Sequence, residues 1–147
     1  MRSERTPTTG VFPKKKVDFS KLYSDFISTL RVNTGSAATF LGVARKESAH
    51  KGRSVKALVM ESYERHANKV LGKICIEVKK KYALNDIVIV HALGSFKPGE
   101  PVVFVAVSSP RRERSFHALH EAVERYKKEP ALFKKEVYLD GTSSWIH

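Results

Sequence analysis

Apolar residues recur along the chain with helical spacing in three places, and strand-like apolar runs fill the intervals. Phe19, Leu22, Phe26 and Leu30 lie three or four apart behind Asp18, a good N-cap, and the run stops at Asn33-Thr34-Gly35. This predicts a first helix. A second carries Ala67, Leu71, Ile74 and Val78 and dissolves into Lys79-Lys80-Lys81, where cations suit the negative end of the helix dipole. A third carries Phe116, Leu119, Val123 and Tyr126 and ends at Glu129-Pro130. Strands are predicted at 37–45, 55–61, 86–92 and 101–108, with a last one near 137–139. The polar stretch 46–54, with Gly52, would close a long-looped hairpin between the first two, and Lys97-Pro98-Gly99-Glu100 a turn between the next two. The order α-β-β-α-β-β-α-β, with hairpins instead of regular crossovers, predicts an α+β fold with a largely antiparallel sheet and three main helices. Residues 1–17, rich in Thr, Pro and Lys, read as a loosely ordered basic arm with a short edge strand near Val11-Phe12. Residues 18–147 read as one domain, large enough to bury a core without metal or disulfides.

Composition narrows the classes. Cys75 is the only cysteine, which excludes a disulfide framework and a cysteine-built zinc site; beside Ile74 on the second helix it reads as an inert buried thiol. No apolar run approaches the roughly 18 residues of a membrane span, and no signal-peptide core precedes the fold, so a soluble cytoplasmic protein is expected. The formal net charge of +12, from 27 basic against 15 acidic residues, predicts attraction to anions. Nucleic acid is the default partner for such a balance, but the cations are spread along the chain and carry no RNA-recognition or helix-turn-helix signature. A basic nucleic-acid-binding module therefore stands as the alternative reading. The absence of glutamine and the scarcity of asparagine also suit a protein built for high temperature, to which part of the charge would then belong.

Two groups of cations stand where folding gains nothing from them. Ser109-Pro110 reads as an N-cap with proline in the first helical position, so Arg111 and Arg112 fall in the first turn, where the dipole disfavours positive charge. Free backbone N–H groups and two guanidinium forks suit an anion such as phosphate; the other reading is that both arginines point into water. Further along, the row Phe116, His120, Val123, Lys127 sets Lys127 on the flank of the apolar stripe, whereas Lys128 swings outward. An ammonium held against apolar surface loses pKa and becomes useful for proton transfer, although a lysine merely covering the edge of the core would occupy the same place. Lys134 follows Pro130 and can approach Lys127 from a neighbouring strand. No glycine-rich phosphate loop, no serine-nucleophile motif and no convincing metal-ligand set among the six histidines is present. What survives is a cationic pocket without its own nucleophile, so that substrate or partner must bring the reactive group.

Several short pieces then line up in one order: Gly35-Ser-Ala-Ala-Thr-Phe-Leu-Gly-Val-Ala-Arg45; Met60-Glu-Ser-Tyr63; His91-Ala-Leu-Gly94 leading to Pro98-Gly99-Glu100; Ser108-Ser-Pro-Arg-Arg112 with Phe116; Lys127; and Phe133-Lys-Lys-Glu136 before Asp140-Gly141 and Trp145. Their order and spacing resemble the MoaE family, the catalytic large subunit of molybdopterin synthase, from about residue 35 to 145. The resemblance implies an α/β-hammerhead-like fold and a sulfurtransferase of molybdenum cofactor biosynthesis. In that family a small ubiquitin-like carrier (MoaD-like) brings sulfur as a C-terminal Gly-Gly thiocarboxylate, and two transfers convert cyclic pyranopterin monophosphate into the molybdopterin dithiolene. The resemblance implies Lys127 and Lys134 as catalytic residues and Arg45, Arg111, Arg112, Lys127, Lys134 and Lys135 as substrate-binding. It implies no metal and no cofactor. It also implies a homodimer of large subunits within a heterotetramer, with pockets drawing on both large subunits. Three departures accompany it: Arg111 stands where the family usually has histidine, Ala92 where an arginine usually follows His91, and Phe133 where tryptophan is common, keeping an aromatic wall. A non-catalytic docking member of the same family is the remaining alternative.

Overall fold

The structure, a computed structural model, describes residues 8–48, 50 and 52–146. Its elements are β1 (Gly10–Pro13), α1 (Phe19–Ser28), β2 (Ser36–Val43), β3 (Val55–Ser62), α2 (Glu64–Tyr82), β4 (Asp86–Phe96), β5 (Pro101–Ser109), α3 (Arg112–Lys128), β6 (Leu132–Tyr138) and β7 (Ser143–Ile146). The strands form one sheet in the order β2-β5-β4-β3-β6-β7, with β1 pairing β4 as well. Every pairing is antiparallel except β1 with β4. An α+β fold with a largely antiparallel sheet and three main helices is what the chain adopts.

The apolar runs of β4 and β5 have no polar alternation because both of their faces are covered. Ile89, Val103, Val105 and Val107 pack beneath α2 and α3, with Leu71, Ile74, Val78, Ala118 and Ala122. Val88, Val90, Phe104 and Ala106, on the alternate face, meet Phe26 and Leu22 of α1. A third cluster, Met60, Ala92, Phe96 and Val102, fills the region where β4 passes from β5 to β3. At that passage Gly94 takes φ +134°, a region that side-chain-bearing residues rarely adopt. Cys75 is buried on α2, and burial pushes its thiol pKa up.

Several expectations change. Residues 10–17 of the supposed loose arm are ordered: Val11 is 3% exposed, its N–H donates to Asn68 Oδ1 at 2.7 Å, and Lys14 pairs with Glu100. Parallel pairing of β1 with β4 supplies what its composition hides; residues 1–7 lie outside the described residues. The hairpin expected between residues 37–45 and 55–61 does not form. β5 and β4 separate the two strands, because β5, apolar on both faces, takes β2 as its second partner. The last strand is longer and earlier than predicted, and β7 follows it across a turn. In α3 the buried set is Ser115, Ala118, Ala122 and Tyr126, so the stripe is rotated and Phe116 is 64% exposed. Two small alanines let α3 sit close to the sheet, a contact that a search for large apolar residues passes over. Ser109 ends β5 instead of capping α3; Arg111 occupies the N-cap, and the Ser109 hydroxyl donates to Arg111 O at 2.6 Å.

Candidate active site

Two elements bring a cation each within electrostatic reach of a third on another strand. Arg45 follows β2, whose end is clamped to the β4–β5 turn by Ala44 N–H donating to Glu100 O and Gly99 N–H donating to Ala44 O. Lys127 is the penultimate residue of α3 and is exposed. Lys134 lies on β6, half-buried. Burial holds the Lys134 ammonium below the ordinary lysine range; the carboxylate of Glu136 opposes this, while the charges of Lys127 and Arg45 press the same way as burial. The desolvated lysine is therefore Lys134. Lys127 lost the apolar flank expected for it when the stripe of α3 rotated away from Phe116.

Strand alternation divides β6 between two sides. Lys134, Glu136 and Tyr138 share one face with Leu132, whereas Phe133 and Lys135 face the other way. On that reverse face Lys135 Nζ sits 5.3 Å from the centre of the Trp145 ring, and Phe133 meets Tyr63 edge-on at 5.3 Å. Glu61, Ser62, Tyr63, Phe133 and Trp145 line a cleft of about 280 Å³ there. The structure thus parts Lys135 from Lys134, and Phe133 walls the reverse cleft.

Arg111 and Arg112 lie at the opposite end of α3 from Lys127. At about 1.5 Å per residue the fifteen-residue separation of Arg112 from Lys127 spans roughly 22 Å. The two arginines line a groove of about 290 Å³ with Gly35, Pro110 and Glu113. Gly35 is required there, since a Cβ would run into the Pro110 carbonyl. Both guanidiniums are exposed, with Glu113 3.8 Å from Arg111 Nε. One protomer therefore holds two separate cationic surfaces, and no single phosphate bridges them within the chain.

Buried polar groups back the C-terminal cluster. His91 is 3% exposed and lies edge-on to Tyr126, the neighbour of Lys127; burial lowers its pKa to about 4, so the ring is neutral. Its Nδ1 lies 2.9 Å from Ala92 O, which can only accept, so the proton is on Nδ1. Ala92 itself is fully buried and brings no charge. Glu136, 4% exposed, is the residue that the search for cations missed, although its place two residues from Lys134 on a strand puts it on the same face. Among the described residues no group of three His, Cys, Asp or Glu could hold a metal ion, and no helix is long and apolar enough to cross a membrane.

A cluster of cations with one desolvated lysine has the chemistry to bind an anion and carry a proton, and the chain has counterparts among known proteins. The family model described as MoaE protein matches residues 13–129. A molybdopterin synthase catalytic subunit from Dictyostelium discoideum is 35% identical over 114 residues, covering 76% of this chain and 71% of that protein. Molybdopterin synthase catalytic subunit 1 from Aedes aegypti is 35% identical over 133 residues, covering 88% and 86%. Among solved structures, the molybdopterin synthase from Staphylococcus aureus superposes with a TM-score of 0.82 at 27% identity, covering 95% of this chain and 96% of that one. A complex of subunits 1 and 2 of the molybdopterin-converting factor from Helicobacter pylori 26695 shares the fold, with a TM-score of 0.68 at 16% identity over 95% of this chain and 87% of that one.

Proposed function

The chain belongs to the MoaE protein family, and from that membership we propose that it acts as the catalytic subunit of a molybdopterin synthase. Its substrate is cyclic pyranopterin monophosphate, and its sulfur comes from the C-terminal thiocarboxylate of a small MoaD-like carrier. Each of two transfers forms a carbon–sulfur bond and breaks a carbon–oxygen bond on the substrate, the displaced oxygen staying with the phosphate in the transfer that opens the ring and leaving as water in the other. On the carrier the acyl carbon–sulfur bond breaks and water supplies the oxygen of the carboxylate. A pocket of cations without a nucleophile suits this division of labour, because the attacking sulfur belongs to the partner.

The observation that carries the reading is the half-buried ammonium of Lys134, on which the charges of Lys127 and Arg45 both act. Lys127, exposed and cationic, offsets the negative charge that develops as the cyclic phosphate opens. Lys134, desolvated and lowered in pKa, moves the proton. Arg45 holds the phosphate by its planar fork. Arg111 and Arg112, roughly 22 Å away along α3, reach substrate only from a second large subunit. Lys135, on the reverse face of β6, takes no part. The working assembly is then a homodimer of this chain with one carrier at each site, a heterotetramer, in the cytoplasm.

The test is reconstitution. The isolated chain should transfer no sulfur, and addition of a thiocarboxylated Gly-Gly carrier and cyclic pyranopterin monophosphate should yield dithiolene product. Full turnover by a Lys127→Ala protein would remove that lysine from its role.

A further inference from the structure

The loop between β2 and β3 carries a tether that the chemistry above leaves unused. Arg45 opens the loop, and three residues later the Ser48 hydroxyl donates to Glu136 Oε1 at 2.6 Å. The same carboxylate oxygen accepts from the buried Tyr138 hydroxyl at 3.1 Å. His50 N–H donates to Ser48 Oγ at 2.8 Å, so the serine hydroxyl is engaged as donor and as acceptor. The base of the loop is held by Val55 N–H on Lys46 O at 2.7 Å and Ser48 N–H on Arg53 O at 3.2 Å. Arg53 lies over the Tyr138 ring at 3.8 Å and reaches Asp140 beyond β6. One buried carboxylate is thus shared by the loop of Arg45 and the strand of Lys134.

We propose that Ser48 is a positioning residue, fixing the Arg45 loop to β6 through Glu136 and so setting the separation of Arg45 from Lys134 without touching substrate. The inference rests on the catalytic reading above. Two cations facing one pocket repel each other, and a loop free to swing would relieve that repulsion by carrying Arg45 away. A hydrogen bond to an ionised acceptor is of the stronger kind, and holding the loop beforehand spares the ordering that binding would otherwise require. The charged groups facing Lys134 are Glu136 on its own strand, Lys127 from α3 and Arg45 from the loop.

Steady-state kinetics of the reconstituted enzyme test this. Ser48→Ala should raise KM for the pterin substrate about tenfold with kcat nearly unchanged, as loss of one bond to a charged acceptor implies. Ser48→Thr, which keeps the hydroxyl, should return KM toward that of the natural protein. Glu136→Gln keeps an acceptor for Ser48 but removes the anion facing Lys134, so the limb of the pH–rate profile set by Lys134 should move to lower pH. An unchanged KM in Ser48→Ala overturns the proposal, as does an equal loss in Ser48→Ala and Ser48→Thr. Loss of turnover in Lys127→Ala checks the catalytic reading separately. Should that reading fail, amide hydrogen exchange across residues 46–54 still decides the tether: Ser48→Ala should speed it and Ser48→Thr should not, and equal exchange in all three proteins overturns it.

Discussion

The two ends of α3 carry similar charge and differ in everything else. At the N-terminal end Arg111 and Arg112 stand in water around an open groove, against the positive end of the dipole. At the C-terminal end the charges of Lys127, Arg45 and the buried Glu136 all act on half-buried Lys134, and a neutral histidine packs against Tyr126, the neighbour of Lys127. The first end can hold an anion by charge and fork geometry alone. Only the second has the desolvation that changes what a lysine can do. Cation count in a sequence therefore locates anion affinity, while burial of the neighbours locates chemistry.

The sharpest way to break this contrast is to remove the chemistry at one end. Lys127→Ala or Lys134→Met should lower sulfur transfer by about 10²–10⁴-fold, the range for a lost proton-transfer or charge-stabilising group. Lys134→Met should at the same time raise the melting temperature, since it removes a half-buried ammonium pressed by two other cations. A loss of both activity and stability would show that Lys134 holds the fold instead. The next test joins the ends: Arg112→Ala should cost about tenfold or more in activity through a lost phosphate contact. Mixing Arg112→Ala with Lys134→Met subunits should then restore about a quarter of natural activity, because half the dimers regain one intact site of two. No recovery on mixing would place both ends in the same protomer's site.

Acid should disturb the C-terminal end selectively. The folded pKa of His91 lies near 4, below its unfolded value of 6.5, so its contribution is full above 6.5 and is lost as pH falls toward 4. That slope amounts to about 3 kcal/mol across the window, and a His91→Leu protein should lack it in urea titrations from pH 7 to 4. The smallest effect belongs to the reverse face. Lys135→Ala should leave turnover near that of the natural protein and change stability by about 1 kcal/mol or less, the size of an exposed cation–π contact. A large loss of turnover would return Lys135 to the binding set.

Helical period and apolar runs made the helices, the four central strands and the fold class legible, because those elements are built by local repetition. Pairing was not, since the choice of β5 over β3 as partner of β2 depends on which faces helices cover. The orientation of α3 was missed because Ala118 and Ala122, not Phe116, face the sheet. Arg45, Lys127 and Lys134 were readable as a set only through their family resemblance. Their order of burial was not readable at all: it follows from the α3 rotation, which left Lys127 in water, and from Glu136, whose partner Ser48 comes from a distant loop of the chain.

β1 has a consequence for handling the protein. By lying along β4 where that strand leaves β5, it blunts an edge that would otherwise present unpaired N–H and C=O groups beside apolar residues. Trimming the chain to residue 18, as its composition would invite, uncovers that edge and the pocket of Val11 together. The truncated chain would then recruit strands from its neighbours, and its failure in expression would look like poor solubility when the cause is a missing seal.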